Sequence, residues 1–246
     1  MQSNSAAKIG NLKNELTDKH LALSWSGGKD SCMALHRLKE SGQAPGLLVC
    51  TLSEEHRRIS MHGVHELLLD AQAAALNIPL KKVYLPDPCP MEKYDAIMRK
   101  LVDDLKAQGI THMAYGDLFL EDLKSYRESK LEGTGIEPLF PLWLSDTTEL
   151  VNEFIDLGYV AEVVATDDAK LAPSFCGRNL DKLFIRDLPK EVDPCGENGE
   201  FHSFVYGGPI FQKTLAIEVG DKVQKHYRSS DDSFQSSFHF CALRLS

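Results

Sequence analysis

The sequence predicts an α/β protein with a doubly wound parallel sheet and a smaller α+β domain toward the C-terminus. Short apolar runs rich in Leu, Val and Ile alternate with longer segments whose apolar residues recur at helical spacing. The connections between them are short, which favours parallel strands joined by crossover helices. Past Asp167 this alternation stops and loop-rich sequence follows. We therefore place one domain at residues 18–135 and a second at 136–246.

The first part of the chain alternates strands with helices. The apolar run 21–25 precedes two glycines and a helical segment at 32–38. A buried strand is expected at 46–52, because this Leu- and Val-rich run is bounded by Pro and Ser. The segment 62–76 has apolar residues at helical spacing, which predicts a helix with Leu67 on its apolar, buried face. The run 81–85 predicts a third strand, which ends at prolines.

The same rules assign the following elements. Apolar residues four apart and a closing glycine predict a helix at 91–108. The apolar run 110–115 predicts the fourth strand. A charged helix is expected at 121–131, and a helix closed by glycine at 147–157. The run 159–166 predicts one more strand.

Composition excludes several classes of protein. The chain has 246 residues, 43% of them hydrophobic, and a net charge of −9. No apolar run approaches the roughly 18 residues that a membrane helix needs, and residues 1–19 lack the apolar core of a signal peptide. The negative charge argues against a partner bound through long nucleic-acid backbone contacts. We expect a cytoplasmic protein without a membrane partner; a homodimer is one option for its assembly.

The six cysteines include no Cys-x-x-Cys pair, so neither a zinc site nor a thioredoxin-like redox motif is expected. Most of them fit reduced, buried side chains. Cys89 and Cys195 differ, because each follows Asp-Pro in loop-like sequence. Whether either thiol is reactive stays open.

The sequence Ser-Gly-Gly-Lys-Asp-Ser stands between the first strand and the first helix. Adjacent glycines let backbone N–H groups approach an anion, and the helix N-terminus adds unpaired donors and a positive dipole end. The lysine can meet a phosphate oxygen, and the aspartate can cap the helix or hold Mg²⁺. The predicted nucleotide-contacting residues are Ser26, Gly27, Gly28, Lys29, Asp30 and Ser31. Neither a Walker sequence nor a dinucleotide fingerprint occurs in the chain.

Two further groups of polar residues are candidates for the same chemistry. Gly116 and Asp117 follow the fourth strand, where ligands of open α/β sheets gather. Asp117 could orient the nucleotide, coordinate magnesium or cap a turn. Near residue 200, Glu197, Glu200 and His202 lie in a polar loop whose side chains could bind magnesium, hold ammonium or move protons.

Four stretches together resemble the diphthine ammonia ligase family. They are residues 26–31, 115–117 with 126–128, 138–143 and 196–204. The resemblance implies an N-terminal ATP pyrophosphatase domain of the adenine nucleotide α-hydrolase type and a smaller C-terminal domain. The implied reaction uses ATP and Mg²⁺ to adenylate a carboxylate, after which ammonia displaces AMP. The resemblance carries nucleotide binding onto the residues of the glycine turn and the ligase loop onto Glu197, Gly199 and Glu200. From the chemistry that acyl adenylation requires, we expect catalytic roles for Lys29, Asp117, Glu197, Glu200 and His202, a nucleotide contact by Gly116 and a metal contact by Asp30.

The chain departs from the family pattern in its C-terminal loop. The family has Glu-Gly-Gly-Glu-Phe/Tyr-Glu, whereas this chain has Asn198 and His202 at the second and last places. The carboxylate substrate is therefore open, and corrinoid side chains are one alternative. No N-terminal cysteine nucleophile is present, so free ammonia or a separate donor is expected. Two other interpretations are a tRNA-modifying enzyme that adenylates a base, with Cys89 or Cys195 carrying sulfur, and a nucleotide-binding regulator without turnover.

Overall fold

The described residues form two β-sheets, and each sheet lies in one of two compact units of the chain. A computed structural model describes residues 20–59, 62–228 and 235–246. The first unit contains residues up to Ser26, Asp30–Arg57 and Asn77–Ser145. The second contains Gly27–Lys29, Arg58–Leu76 and Asp146–Ser246. The division of the chain at residue 135 remains a prediction.

In chain order the elements are β1 (Leu21–Ser24), α1 (Lys29–Glu40), β2 (Leu47–Ser53), α2 (Glu66–Leu76), β3 (Leu80–Leu85), α3 (Met91–Ala107), β4 (His112–Ala114), α4 (Glu121–Leu131), β5 (Glu137–Leu139), α5 (Thr147–Asp156), β6 (Val160–Asp167), a 3₁₀ turn (Pro173–Phe175), α6 (Lys182–Asp187), β7 (Phe201–Gly207), β8 (Ile217–Arg228) and β9 (Gln235–Leu245). None of the helices within the described ranges is long and apolar enough to cross a membrane.

The sheet of the first unit confirms the predicted α/β class. Its strands run in the order β3-β2-β1-β4-β5, and every neighbouring pair is parallel. β1 is apolar on both faces because it lies at the centre of this sheet, and Leu21, Ala22 and Leu23 are buried. The strand order reverses between β1 and β4, which is the position where ligands bind in open α/β sheets. The glycine turn follows β1, and Gly116 follows β4.

The second unit confirms the α+β character of the C-terminal part. Its sheet has the order β7-β6-β9-β8, and all three pairings are antiparallel. β6, the strand predicted at 159–166, is buried along most of its length between β7 and β9. A small cluster of Ala165, Phe238 and Phe240 fills the core beside β9.

One predicted helix starts later than expected and turns a different face to the core. The prediction began at His62, whereas α2 begins at Glu66. Gly63 has a φ of +67°, which is incompatible with a helix, and His62 lies in the turn before it. Leu67, which helical spacing assigned to the buried face, is 60% exposed, while Gln72 is fully buried. The glutamine is buried because its amide binds backbone carbonyls, as described below.

Candidate functional site

The glycine turn is held by backbone contacts inside the second unit. Gly27 has a φ of +76°, and a Cβ atom at this position would lie 2.7 Å from Gln72 Oε1. The Gly27 carbonyl accepts hydrogen bonds from the Val205 amide at 2.9 Å and from Gln72 Nε2 at 3.0 Å. Gln72 Nε2 also donates to the Val205 carbonyl. Only glycine fits this position, both for its φ and for the space left beside Gln72.

Lys29 is placed by β7. Its backbone N–H donates to Ser203 Oγ at 3.1 Å, so this amide of the turn is already engaged. The side chain is 4% exposed, and its ammonium lies 5.5 Å from the centre of the Phe201 ring. Attraction between the ammonium and the ring face keeps the charge in a desolvated place. A buried ammonium interacts with phosphate more strongly than one in water does.

Asp193 organises the polar loop that precedes β7. One of its carboxylate oxygens accepts from the backbone N–H groups of Glu197 at 2.9 Å and Cys195 at 3.2 Å. Gly196 has a φ of +68°, and a Cβ atom there would come within 2.8 Å of the Phe201 carbonyl. The loop therefore depends on an aspartate and a glycine to adopt its turn.

Glu200 is 3% exposed, and its two carboxylate oxygens differ. Oε1 accepts from Asn198 Nδ2 at 3.0 Å and from the Asp193 amide at 3.3 Å. Oε2 is buried, and no residue within the described ranges supplies it with a hydrogen bond. A buried carboxylate oxygen without a donor is costly, which makes Oε2 the position where a substrate group could bind.

His202 pairs with a histidine that the sequence did not single out as a site residue. The ring centres of His62 and His202 are 4.4 Å apart, with the planes inclined by 31°. Burial and then the Lys29 ammonium lower the pKa of His202 to about 4. Burial, followed by charge on His202 and Lys29, lowers the pKa of His62 well below its ordinary value of 6.5. Both imidazoles are therefore neutral at pH 7, and His202 is a weak proton acceptor.

In the first unit, the end of β4 meets the start of α1. Gly116 lies so close to this helix that a Cβ atom would come within 2.9 Å of the Asp30 carbonyl carbon and 3.1 Å of the Ser31 amide nitrogen. The hydroxyl oxygens of Ser26 and Ser31 are 3.2 Å apart. The start of α1 and the end of the fourth strand thus lie together at the switch point of the sheet.

Asp117 is held by an arginine from α4. Arg127 donates to it through Nε at 2.5 Å and through a terminal nitrogen at 3.1 Å, a bidentate geometry. The guanidinium also lies 4.3 Å from the centre of the Tyr115 ring. These contacts favour a role for Asp117 in positioning Arg127. The catalytic role of Asp117 remains a prediction.

Lys124 is bound to the aromatic residues of the 138–143 stretch. Its ammonium lies 4.7 Å from the centre of the Trp143 ring and 5.7 Å from that of Phe140, and 3.6 Å from Glu128 Oε1. These contacts hold the Lys124 ammonium in place, so its position does not require a bound substrate.

The oxygen donors at the start of α1 fit Mg²⁺. Asp30 provides a carboxylate, and Ser26 and Ser31 provide hydroxyl groups, which are the hard ligands that Mg²⁺ prefers. In the described ranges, a cluster of three potential ligand atoms within 4.8 Å occurs at Glu55, His56 and Asp87, all exposed. Nothing else at that cluster indicates a bound ion.

The two cysteines that follow Asp-Pro differ in accessibility. Cys195 is buried, and its thiol donates to the Thr147 carbonyl at 3.3 Å. Cys89 is partly exposed. Burial makes Cys195 a poor candidate for a sulfur carrier.

The predicted site residues thus fall into two groups. The second unit contains Gly27, Gly28, Lys29, Glu197, Glu200 and His202, and the first contains Ser26, Asp30, Ser31, Gly116 and Asp117. Sequence reasoning missed Gln72, Ser203, Asp193 and His62. Gln72 lay on a helix that was expected to be amphipathic, and no local signal distinguishes a buried amide from an exposed one.

Two family models match the chain, and their boundaries differ from those of the two units, because Gly27–Lys29 and Arg58–Leu76 of the second unit fall within the N-terminal match. Residues 19–138 match the N-terminal domain of diphthamide synthase, and residues 146–233 match its C-terminal domain. The chain belongs to the diphthamide synthase family. The curated relatives include diphthine–ammonia ligases from several eukaryotes.

The relatives are distant, and the matches to the Danio rerio and Homo sapiens proteins extend over most of the chain. The Danio rerio diphthine–ammonia ligase is 25% identical over 234 residues, which cover 85% of this chain and 89% of the relative. The Homo sapiens protein is 24% identical over 224 residues, covering 80% and 82%. A diphthine–ammonia ligase of Schizosaccharomyces pombe is 28% identical over 110 residues, which are 42% of this chain and 18% of that longer protein. These matches confirm the family that the motifs indicated.

Proposed function

We propose that this chain is an ATP-dependent ligase that adenylates a carboxylate, releasing pyrophosphate, and then amidates it with ammonia, releasing AMP. The observation that carries the proposal is the attachment of Lys29 to β7, the strand that directly follows Glu200. Lys29, which would bind phosphate, and Glu200, which would accept a proton, therefore belong to the same unit. Membership in the diphthamide synthase family, whose curated relatives are diphthine–ammonia ligases, supports an ATP-dependent amidation.

In the proposed first step, the substrate carboxylate attacks the α-phosphorus of ATP and pyrophosphate leaves. The developing charge on the phosphate oxygens would be stabilised by Lys29, whose ammonium is desolvated over Phe201. Asp30 and the hydroxyl of Ser31 would hold Mg²⁺, which supplies further neutralisation of phosphate charge when bound. Gln72 keeps the Gly27 turn in place through its amide.

In the second step, ammonium must lose a proton before its nitrogen can attack the acyl carbon. We assign the proton acceptor to Glu200 Oε2, which is buried and lacks a donor among the described residues. Ammonia then forms the C–N bond, and the acyl–phosphate bond breaks to release AMP. His202 is the weaker choice for this task because its lowered pKa makes it a poor base. Glu197 stays a candidate through its place in the same loop.

The carboxylate is proposed to be diphthine-like, since this is the group in the names of the relatives. Asn198 and His202 depart from the family loop, so other carboxylates, including those of corrinoids, belong in the substrate screen. A cytoplasmic location and a homodimer remain predictions.

The experiment separates the two steps. Carboxylate-dependent exchange of labelled pyrophosphate into ATP reports adenylation alone, whereas amide formation also needs ammonium. Glu200→Gln keeps the shape of the side chain but removes its basicity. It should retain exchange and lose amide formation by about 100-fold or more, the usual size of a general-base contribution. Glu191→Gln, which alters an exposed glutamate near the same loop, is the matched control.

One result would contradict the role of Glu200, and another would contradict the ligase reaction itself. Equal loss of exchange and amidation in Glu200→Gln would remove the base assignment. AMP formation that requires bulk tRNA but not ammonium would replace the ligase with a tRNA-modifying enzyme.

A further inference from the structure

His62 stands outside every motif of the sequence, yet the structure places it against His202. It lies in the turn before α2, and its ring centre is 4.4 Å from that of His202. Both residues belong to the second unit, together with Lys29. Lys29 contacts both chain neighbours of His202, because its backbone N–H donates to Ser203 Oγ at 3.1 Å and its ammonium lies 5.5 Å from the centre of the Phe201 ring.

Each ring of the pair has a buried nitrogen that needs a partner. His62 Nδ1 and His202 Nε2 are both inaccessible to water, and no residue in the described part of the chain forms a hydrogen bond with them. Polar atoms buried in this way are uncommon in folded proteins and destabilise them unless a ligand or water completes the hydrogen bond. A ligand or a water molecule that reaches the two contacting rings would supply these hydrogen bonds.

The surrounding charge indicates what kind of ligand this is. The Lys29 ammonium acts electrostatically on both imidazoles. Such a charge repels a metal cation. In the described ranges no third Cys, His, Asp or Glu side chain comes close enough to complete a metal site with the two histidines. An anion is attracted by the same ammonium, and a neutral imidazole can donate its N–H to an oxygen atom.

We propose that His62, together with His202, donates hydrogen bonds to an oxyanion held by Lys29. The oxyanion is either the pyrophosphate part of the nucleotide or the carboxylate of the second substrate. This assignment deepens the proposed ligase function and adds His62 to the ligand-binding residues. Binding of an oxyanion is measurable without turnover, so it can be tested even if the ligase reaction fails.

The test measures binding of inorganic pyrophosphate and of acetate to the full chain by calorimetry. His62→Phe keeps a ring that can stack on His202 but removes both nitrogens. It should weaken the binding of one of the two probes by about tenfold, which corresponds to about 1.4 kcal/mol. The matched control is His226→Gln, an exposed histidine of β8, which should bind both probes as the wild type does.

The probe that weakens identifies the source of the oxyanion. Loss for pyrophosphate alone assigns His62 to the nucleotide, and loss for acetate alone assigns it to the substrate carboxylate. Unchanged affinity for both probes in a folded His62→Phe protein would overturn the proposal. If acetate and pyrophosphate bind normally but no carboxylate yields an amide, the ligase function fails independently.

A second measurement uses the wild type and so does not depend on a variant that folds. Nitrogen NMR resolves the imidazoles of the nine histidines, with the rings of His62 and His202 assigned by through-bond correlation to their own backbone amides. Saturation with the bound probe should shift the nitrogen signals of these two rings toward the hydrogen-bonded form. Shifts confined to other histidines would refute contact between the ligand and His62.

Discussion

Gln72 offers the sharpest test of how the glycine turn is held. Its Nε2 donates to the carbonyls of Gly27 and Val205, and the side chain is completely buried. Gln72→Leu removes both hydrogen bonds and leaves a side chain of similar length. Each hydrogen bond contributes about 1 kcal/mol to stability, and a carbonyl that stays buried without a donor adds a further penalty. We therefore expect the free energy of unfolding to fall by about 2 kcal/mol.

The loss is measured from the urea midpoint followed by circular dichroism. With a slope of about 2 kcal/mol per molar urea, the midpoint should fall by about 1 M. Because the Gly27 turn loses an anchor, ATP affinity should fall as well. Gln43→Leu is the matched control. Gln43 is also buried, but its Nε2 has no partner within the described ranges, and its Oε1 accepts a long bond of 3.4 Å from Ser41 Oγ, which also donates to the Leu38 carbonyl at 2.9 Å. Its replacement should therefore lower the midpoint much less than that of Gln72. Equal midpoints for the Gln72 variant and wild type, or an equal drop for the Gln43 variant, would refute the reasoning.

Three further outcomes are expected. Gly116→Ala places a Cβ atom 2.9 Å from backbone atoms at the start of α1. In denaturation and binding assays it should lower the free energy of unfolding by about 1–3 kcal/mol and weaken ATP binding. Gly220→Ala, whose Cβ atom would have its nearest contact at 3.3 Å, should change neither quantity. The lowered pKa of His202 means that the unfolded chain binds a proton between about pH 6.5 and about pH 4 that the folded chain does not, so stability rises with pH across this window. His202→Gln should reduce the slope of stability against pH in this window, while the contribution of His62 remains. An unchanged slope would contradict the burial argument. A thiol reagent should modify Cys89 before Cys195, because Cys195 is buried; mass spectrometry that finds Cys195 first would contradict the described packing.

Local sequence was sufficient for most of the first sheet. β1 and β2 are continuous apolar runs since both faces of a central parallel strand are covered, and such runs are visible without tertiary information. The start of α2 was misplaced because helical periodicity continues through Gly63, whose positive φ interrupts the helix. Leu67 was assigned to the buried face because periodicity alone does not show which side of a helix packs against the rest of the unit.

The site was predictable where its chemistry is contiguous in the chain. Lys29 and Glu200 were predicted as site residues because glycine turns and acidic loops have recognisable residue patterns. His62 and Gln72 were missed because their partners, His202 and Val205, lie more than 100 positions away in the sequence. A hydrogen bond or ring contact of this separation leaves no periodic signal in one sequence.

The sequence by itself determined the α/β class, the family and the glycine turn after β1. These depend on hydrophobic periodicity and on short motifs whose backbone conformation is set locally. Only the tertiary structure decided that Gly27 and Lys29 are anchored to β7, and that His62 stacks on His202. It also decided the environment of the lysine, since burial and the contact with Phe201 come from chain folding over long separations. The sequence shows that Lys29 carries a charge. Only the fold brings this charge near His62 and His202, where it lowers the pKa of both imidazoles.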